Sequence, residues 1–166
     1  NLGILFQKLN ETQKAINWDN VQQKIMIIRP FSILGENMKN TSAFGSFINQ
    51  IVDKKLNYLK TGNLNVYRDY IDVKDLVSIS WKLMQNKEAY GKIINVCSGE
   101  PTHLKEMVDY MLNYLNKPIS IQQFSNKDLD NASNIIYGDN SLLLSLIGKY
   151  EFIHWKITLE RILGKP

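Results

Sequence analysis

The sequence predicts an α/β fold with a mostly parallel sheet. Strand-sized apolar segments alternate with amphipathic helical segments along the 166 residues, as in sheets whose parallel strands are joined by crossover helices. Two apolar segments, Lys24–Arg29 and Lys92–Cys97, have no regular polar alternation and are predicted as fully buried strands. An open sheet with helices on both faces has more buried strands than two, so only part of such a sheet is expected here.

Helical segments are predicted from the spacing of their apolar residues. From Leu104 to Leu115 these residues recur at i, i+3, i+4, i+7, i+8 and i+11, and Thr102 is placed to cap the first turn. Asp72 is predicted to cap another helix, with Asp75 as a carboxylate version of the capping box. That helix is predicted to bury Leu76, Ile79, Leu83 and Met84. Another predicted helix begins at Leu2, and its apolar pattern ends near Ile16. The remaining predicted helices cover Ser42–Lys55, Leu142–Ile147 and Leu159–Leu163.

Shorter extended segments fill the remaining chain. Their apolar and β-branched residues predict strands, and Gly, Asn and Asp mark the turns between them. These segments are Leu56–Gly62, Arg68–Val73, Ile119–Phe124 and Ile135–Tyr137, with a polar loop at Ser125–Asn134.

Composition excludes several classes of protein. No apolar run approaches the ~20 residues that span a bilayer, so no membrane partner is expected. The formal charge of +4 comes from scattered basic residues, which argues against a nucleic-acid interface. Cys97 is the only cysteine, so the sequence forms no internal disulfide and a reducing cytoplasm is expected.

Most motifs that carry chemistry are absent. His103 and His154 have no second ligand at metal spacing, so no metal site is predicted; His103 is expected in the first turn of a helix and His154 on the surface or in packing. Cys97 ends an apolar strand and is interpreted as a buried small hydrophobe. The sequence has no Gly-rich phosphate loop, and no Tyr-x-x-x-Lys pair is placed as acid and base. No catalytic residue is therefore predicted within it.

Two segments remain as candidate binding sites. Arg68 precedes a short strand and a capped helix, where its planar guanidinium could bind a diphosphate through two parallel hydrogen bonds. The alternative is a surface arginine paired with Asp69 or Asp72. The second candidate, Arg29–Ser32, lies at the carboxyl end of a buried strand, where open α/β sheets bind ligands.

These segments resemble the C-terminal half of extended short-chain dehydrogenase/reductases, the NAD-dependent epimerase/dehydratase family. Arg29 to Glu36 reads RPFSILGE and is similar to the family's R-P-F-N-x-x-G-P strand end. Arg68 to Leu76 reads RDYIDVKDL and matches R-D-F/Y-I-x-V-x-D-L. Gly62–Leu64 and Asn95–Gly99 most resemble GDP-4-keto-6-deoxy-mannose reductases. The resemblance implies the last parallel strands of a Rossmann-like sheet, about 1–35 and 88–100, interleaved with a small α/β substrate-binding lobe, about 36–87 and 101–166.

The resemblance also implies roles for individual residues. Pro30, Phe31 and Ser32 would contact the nicotinamide end of NAD or NADP, and Ser32 stands where many members have a substrate-contacting Asn. The segment Asn57, Tyr58 and Leu59 would line the nucleotide base, and Arg68 would bind the diphosphate of a nucleotide-diphospho-sugar. A second diphosphate-binding Arg is common in the family shortly before the segment that matches Tyr137–Asp139. This chain has Lys127 there, beside Asp128 and Asp130.

By the same resemblance, the Gly-rich cofactor loop and the catalytic Tyr-x-x-x-Lys precede the region that matches Asn1. The sequence is thus interpreted as the substrate-binding half of a nucleotide-sugar reductase, inactive by itself and active as the intact enzyme. The alternatives are an epimerase or dehydratase of the same family, or a non-catalytic ligand-binding or interaction module. The family also implies a homodimer of the intact protein, and the apolar stripe that begins at Leu2 is a candidate for its interface.

Overall fold

The structure is a computed structural model that describes residues 26–39, 42–53, 55–124 and 134–164. The predicted helix that begins at Leu2, the first two residues of the predicted strand Lys24–Arg29 and most of the Ser125–Asn134 loop lie outside these ranges. Within them, no helix has the length and apolar character needed to cross a membrane.

Strands and helices alternate in the order that the apolar pattern predicts, which confirms the α/β class. In chain order the described elements are β1 Ile27–Pro30, β2 Ser32–Leu34, α1 Ala43–Val52, β3 Tyr58–Thr61, β4 Tyr67–Asp72, α2 Val73–Gln85, a 3₁₀ turn Lys87–Ala89, β5 Ile93–Val96, β6 Pro101–His103, α3 Leu104–Tyr114, β7 Ser120–Gln123, β8 Ile135–Ile136, α4 Ser141–Ile147 and α5 Trp155–Leu163.

The strands pair mostly in parallel, as predicted. β1 pairs with β5, β3 pairs with β7, and β4 pairs with both β2 and β8, all in parallel. Only β6 runs antiparallel to its neighbour β4 among the described pairs. Strand β4 therefore lies at the centre of the largest sheet, and its residues are positioned by three neighbouring strands.

The described core has two clusters of buried side chains. One joins α1, β3, α3 and α5, and α3 contributes its predicted stripe Leu104, Met107, Val108, Met111 and Leu112. The other packs Ile79 and Leu83 of α2 and Leu143 of α4 against Ile94 and Val96 of β5. Helices α2 and α4 thus share a core with β5, and the predicted division into a Rossmann-like part and a substrate-binding lobe stays a prediction.

Three local predictions are wrong. Strands β1 and β5 are not fully buried, because within the described residues they pair only with each other; Arg29 is exposed, and Ile93 and Asn95 are half-buried. Thr102 does not cap α3, since its backbone pairs with Arg68 in the sheet and His103 occupies the cap position without a side-chain hydrogen bond. In α2 the side chain of Met84 is 52% exposed, because the packed stripe ends at Leu83.

Candidate substrate site

A cavity of about 440 Å³ opens beside β2, β4 and the start of α1. It brings together two predicted site residues that are distant in the sequence, Ser32 and Arg68. Its polar side chains are Ser32, Ser42, Arg68 and Tyr70, and its other lining residues are Ile33, Leu34, Met38, Ala43, Phe44, Val66 and Leu104. A mostly apolar cavity with few polar groups has the character of a small-molecule site.

The register of two strands places the polar groups of the cavity. Ser32 of β2 and Tyr70 of β4 are direct partners in the parallel pair. Because side chains alternate along a strand, Arg68 and Tyr70 lie on one face of β4. Asp69 and Ile71 point to the other face, where each is 1% exposed.

One edge of the Arg68 guanidinium has no hydrogen-bond partner among the described residues. Its Nη1 donates to the carbonyl oxygens of Tyr67 at 2.7 Å and Asn134 at 3.3 Å. No carboxylate of the described residues forms an ion pair with it, so the predicted alternative of pairing with Asp69 or Asp72 is wrong. The Nε and Nη2 groups remain, and this side of an arginine makes the parallel hydrogen bonds that bind phosphate or carboxylate.

Asp69 holds β4 in place behind Arg68. Its buried carboxylate accepts hydrogen bonds from Ser98 N at 2.9 Å, Ser98 Oγ at 2.7 Å, Gly99 N at 2.9 Å and Gly138 N at 3.2 Å. These four bonds connect β4 to the loop after β5 and to the segment after β8. Sequence reasoning gave Asp69 no role of its own; its alternation with Arg68 and Tyr70 was the available signal.

Gly138 allows that junction to close. A Cβ at this position would lie 2.4 Å from Cys97 Sγ and 2.8 Å from Cys97 Cβ and Phe31 Cε2. Cys97 is fully buried, and burial together with the carboxylates of Asp69 and Asp139 raises the pKa of its thiol to about 12. The thiol therefore stays neutral and packs as the predicted small hydrophobe.

At the carboxyl end of β4, Asp72 caps α2 as predicted. Its Oδ1 accepts from Lys74 N at 2.7 Å, while its Oδ2 accepts from Thr158 Oγ1 and Arg161 Nη2, both at 2.6 Å. Burial alone would raise the pKa of Asp72, but these hydrogen bonds and the Arg161 charge lower it below the ordinary value. Arg161 also pairs with Glu36 at 2.6 Å and so connects α5 to the loop after β2.

Asp75 does not form the predicted capping box. Its carboxylate accepts from Tyr150 Oη and Ile153 N, each at 2.9 Å, and thereby anchors the segment before α5. Burial raises the pKa of Asp75 above its ordinary value, although the two hydrogen bonds act to lower it. The sequence spacing singled out Asp75 but assigned its carboxylate the wrong partner.

Comparison with known proteins identifies the family of this chain. Residues 7–97 match the model of the NAD dependent epimerase/dehydratase family. The chain belongs to this family. It is 30% identical over 121 residues to GDP-6-deoxy-D-mannose reductase of Pseudomonas aeruginosa, covering 70% of this chain and 40% of that protein. It is 27% identical over 141 residues to GDP-6-deoxy-D-talose 4-dehydrogenase of Aggregatibacter actinomycetemcomitans, covering 83% and 47%.

A solved structure of this family shows the same architecture. The structure of RMD from Pseudomonas aeruginosa complexed with NADPH matches with a TM-score of 0.85 and 25% identity, over 94% of this chain and 53% of that one. The match confirms the Rossmann-like extended short-chain dehydrogenase/reductase fold. The chain spans about half the length or less of these relatives.

Within the family frame, the predicted cofactor segment lies at the carboxyl ends of β1 and β5. Pro30 has no N–H group, and the N–H of Phe31 donates to the carbonyl oxygen of Val96 at 3.0 Å. Of these three residues, Ser32 lines the cavity and Pro30 and Phe31 do not. The place of these residues at the edge of a nicotinamide site stays a prediction, and the sequence has no Gly-rich loop for the cofactor's diphosphate.

The predicted base-binding segment lies apart from the cavity. Asn57 precedes β3 and Tyr58 begins it. Leu59 is fully buried in the first core cluster, so it can offer a ligand only its backbone. The role of this segment stays a prediction, and Lys127 lies outside the described residues.

The described residues contain no cluster of three or more potential metal ligands. His103 is the last residue of β6 and precedes the first turn of α3, in which it was predicted. Its ring stacks on Tyr67, with ring centroids 4.6 Å apart. His154 accepts from Lys156 N at the start of α5.

Proposed function

We propose that this chain forms the substrate-binding part of an NAD(P)-dependent enzyme that modifies nucleotide sugars, and that the intact protein reduces a 4-keto-sugar nucleotide. The observation that carries the proposal is the edge of the Arg68 guanidinium that has no partner among the described residues and lies in a cavity shared with Ser32. The two curated relatives described above have names that refer to GDP-linked deoxy sugars, which supports a nucleotide-diphospho-sugar as ligand.

In this proposal the chain binds and orients the sugar nucleotide. Arg68 binds the diphosphate through Nε and Nη2, and its Nη1 contacts with Tyr67 and Asn134 hold the guanidinium in place. The side chains of Phe44 and Leu104 make the cavity apolar and exclude water around the charged contact. Because few water dipoles then compete, the arginine binds the anion more strongly than an exposed side chain would.

Pro30, Phe31 and Ser32 are the residues of this chain that would lie against the nicotinamide end of NAD or NADP. The cofactor would supply hydride to the sugar's C4 carbonyl. No residue of the cavity is assigned as the proton donor: burial raises the pKa of Tyr70 to about 12, too high for efficient proton exchange near neutral pH. We assign the donor and the cofactor's diphosphate loop to sequence other than these 166 residues. We further propose that the intact enzyme is cytoplasmic.

Turnover assays test this proposal. The full-length protein should oxidise NADPH or NADH with a nucleotide-linked 4-keto-6-deoxyhexose, and chromatography should identify the reduced sugar. An epimerised or dehydrated product without net cofactor oxidation would replace the reductase assignment with another reaction of the family. Full-length protein that binds neither cofactor nor any nucleotide sugar would contradict the enzyme proposal. The 166-residue chain alone should show no turnover, and steady oxidation by it would overturn the assignment of the proton donor to other sequence.

A further inference from the structure

Arg161 of α5 connects two parts of the cavity wall without lining the cavity itself. Its Nη2 donates to Asp72 Oδ2 at the end of β4, and its Nε donates to Glu36 Oε1 in the loop after β2, both at 2.6 Å. Residues of β2 and β4 line the cavity, and Arg161 is not among the lining residues. One guanidinium therefore joins the two strands where they leave the cavity.

Helix α5 is a fixed support for this guanidinium. Leu159 is fully buried in the first core cluster, and the buried Thr158 donates from Oγ1 to Asp72 Oδ2 at 2.6 Å. The Asp72 carboxylate is itself buried and caps α2, so its position is set by the core. The side chain of Glu36, by contrast, is 44% exposed and belongs to a turn. Arg161 thus ties the less packed of its two partners to the core.

The turn at Glu36 sets the path of the chain back to the cavity. Two lining residues, Leu34 and Met38, lie two positions before and two positions after Glu36. Between them, Asn37 has a φ of 60°, in the left-handed region that Asn adopts more readily than most residues. The chain turns at this point and brings Met38 to the cavity wall, so the position of Glu36 influences where that wall lies.

An ordered turn favours ligand binding. A loop that becomes ordered only when the ligand binds lowers the affinity, because the free energy of ordering is subtracted from the gain of the new contacts. The contact between Glu36 and Arg161 orders the turn beforehand. It should therefore raise the affinity for a ligand that neither side chain touches.

We propose that Arg161 is a positioning residue of the nucleotide-sugar site, which acts through Glu36 to hold the Met38 wall of the cavity in place for the ligand. The inference rests on the proposed function, because the ligand is taken to be a nucleotide-diphospho-sugar bound at Arg68. It extends the site to α5, a helix in which no site residue was predicted from the sequence.

Calorimetric titration of GDP-mannose into full-length variants tests this role. Glu36→Ala removes the contact and should weaken GDP-mannose binding roughly three- to tenfold. The thermal unfolding midpoint should change little, because a partly exposed ion pair adds little stability. Glu36→Gln keeps an oxygen that can accept from Arg161 Nε, so this variant should recover part of the affinity. Because both variants lack the negative charge, the comparison separates loss of the contact from loss of the charge.

A double variant tests whether Glu36 acts through Arg161. Arg161→Lys keeps a positive charge near the buried Asp72, but an ammonium cannot reproduce the planar contacts with both carboxylates. The Glu36→Ala, Arg161→Lys double variant should bind GDP-mannose no more weakly than the weaker of the two single variants. The matched control is Asp109→Ala, which removes another ion pair of 2.6 Å, with a 43% exposed carboxylate, on α3; it should leave the affinity unchanged.

The outcomes separate this inference from the proposed function. Unchanged GDP-mannose affinity in Glu36→Ala, together with weaker binding in Arg68→Ala, would overturn the role of Arg161 and leave the proposed function standing. Equal losses in Glu36→Ala and Glu36→Gln, or additive losses in the double variant, would also overturn it, because the contact with Arg161 would then not carry the effect. If the unchanged protein bound no GDP-mannose, the proposed function and this inference would both fail.

Discussion

Replacing the Asp69 carboxylate by an amide should destabilise the fold strongly. Each Asp69 oxygen accepts two hydrogen bonds: Oδ1 from Ser98 N and Oγ, and Oδ2 from Gly99 N and Gly138 N. In Asp69→Asn one oxygen becomes an NH₂ group that faces two donors, so two bonds are lost. A hydrogen bond to a charged group contributes about 1.5–3 kcal/mol, and the free energy of unfolding should therefore fall by about 3–6 kcal/mol.

Urea unfolding of the full-length protein, followed by circular dichroism, measures this loss. The matched control is Asp109→Asn, which removes an exposed i,i+4 ion pair with Lys105 on α3 and should cost less than about 0.5 kcal/mol. If Asp69→Asn cost no more than this control, the carboxylate would not hold the three segments together, and the reasoning about the junction would be refuted.

Two further predictions follow from particular contacts, and a third follows from the family resemblance. Gly138→Ala should lower the free energy of unfolding by about 1–3 kcal/mol, because its Cβ would overlap Cys97, whereas Gly62→Ala, with open space at its Cβ, should leave it nearly unchanged in the same urea titration. The pKa of Asp72 is lowered in the fold, so its contribution is present above the ordinary value of 3.8 and lost as pH falls through the folded value. Acid titration of stability should show this loss, and Asp72→Asn should flatten it while costing about 2 kcal/mol at neutral pH; an unchanged acid slope in that variant would contradict the assignment. The intact protein should be a homodimer by light scattering, and a monomer at micromolar concentration would count against the dimer.

The spacing of apolar residues was enough to predict a long element that buries one face. The apolar spacing from Leu104 to Leu112 identified α3 and its buried residues, because a helix of three turns repeats its contact pattern several times. The predicted start of α1 at Ser42 was one residue early, because Ser42 is the cap and accepts from Gly45 N, whereas the helix ends at Val52, three residues before the predicted Lys55. Local sequence determines such features almost alone.

Short elements could not be predicted in this way. Strands β2 and β6 have three residues each, too few to show alternation, and they exist because β4 supplies partners on both sides. The failure of Thr102 as a cap has the same origin: its pairing with Arg68 keeps its backbone in the sheet. Pairing between distant segments overrides the local signal.

The site was partly predictable. The family resemblance singled out Ser32 and Arg68, and the structure places both in one cavity. The resemblance gave no role to Tyr70 and no partners for Asp69. The position of Tyr70 depends on strand register, and the partners of Asp69 lie as many as 69 positions away in the chain. The contact of Arg161 with Asp72 spans 89 positions and left no local pattern to read.

Calorimetric titration of GDP-mannose into the full-length Arg68→Ala variant tests the central claim most directly. If the guanidinium edge that has no partner among the described residues binds the diphosphate, the affinity should fall by roughly 2–5 kcal/mol, at least about 30-fold in Kd, and Arg68→Lys should recover only part of it. Lys105→Ala on the exposed face of α3 should bind as the unchanged protein does. Unchanged affinity in Arg68→Ala, with the unchanged protein binding GDP-mannose normally, would contradict the assignment of this cavity as the nucleotide-sugar site.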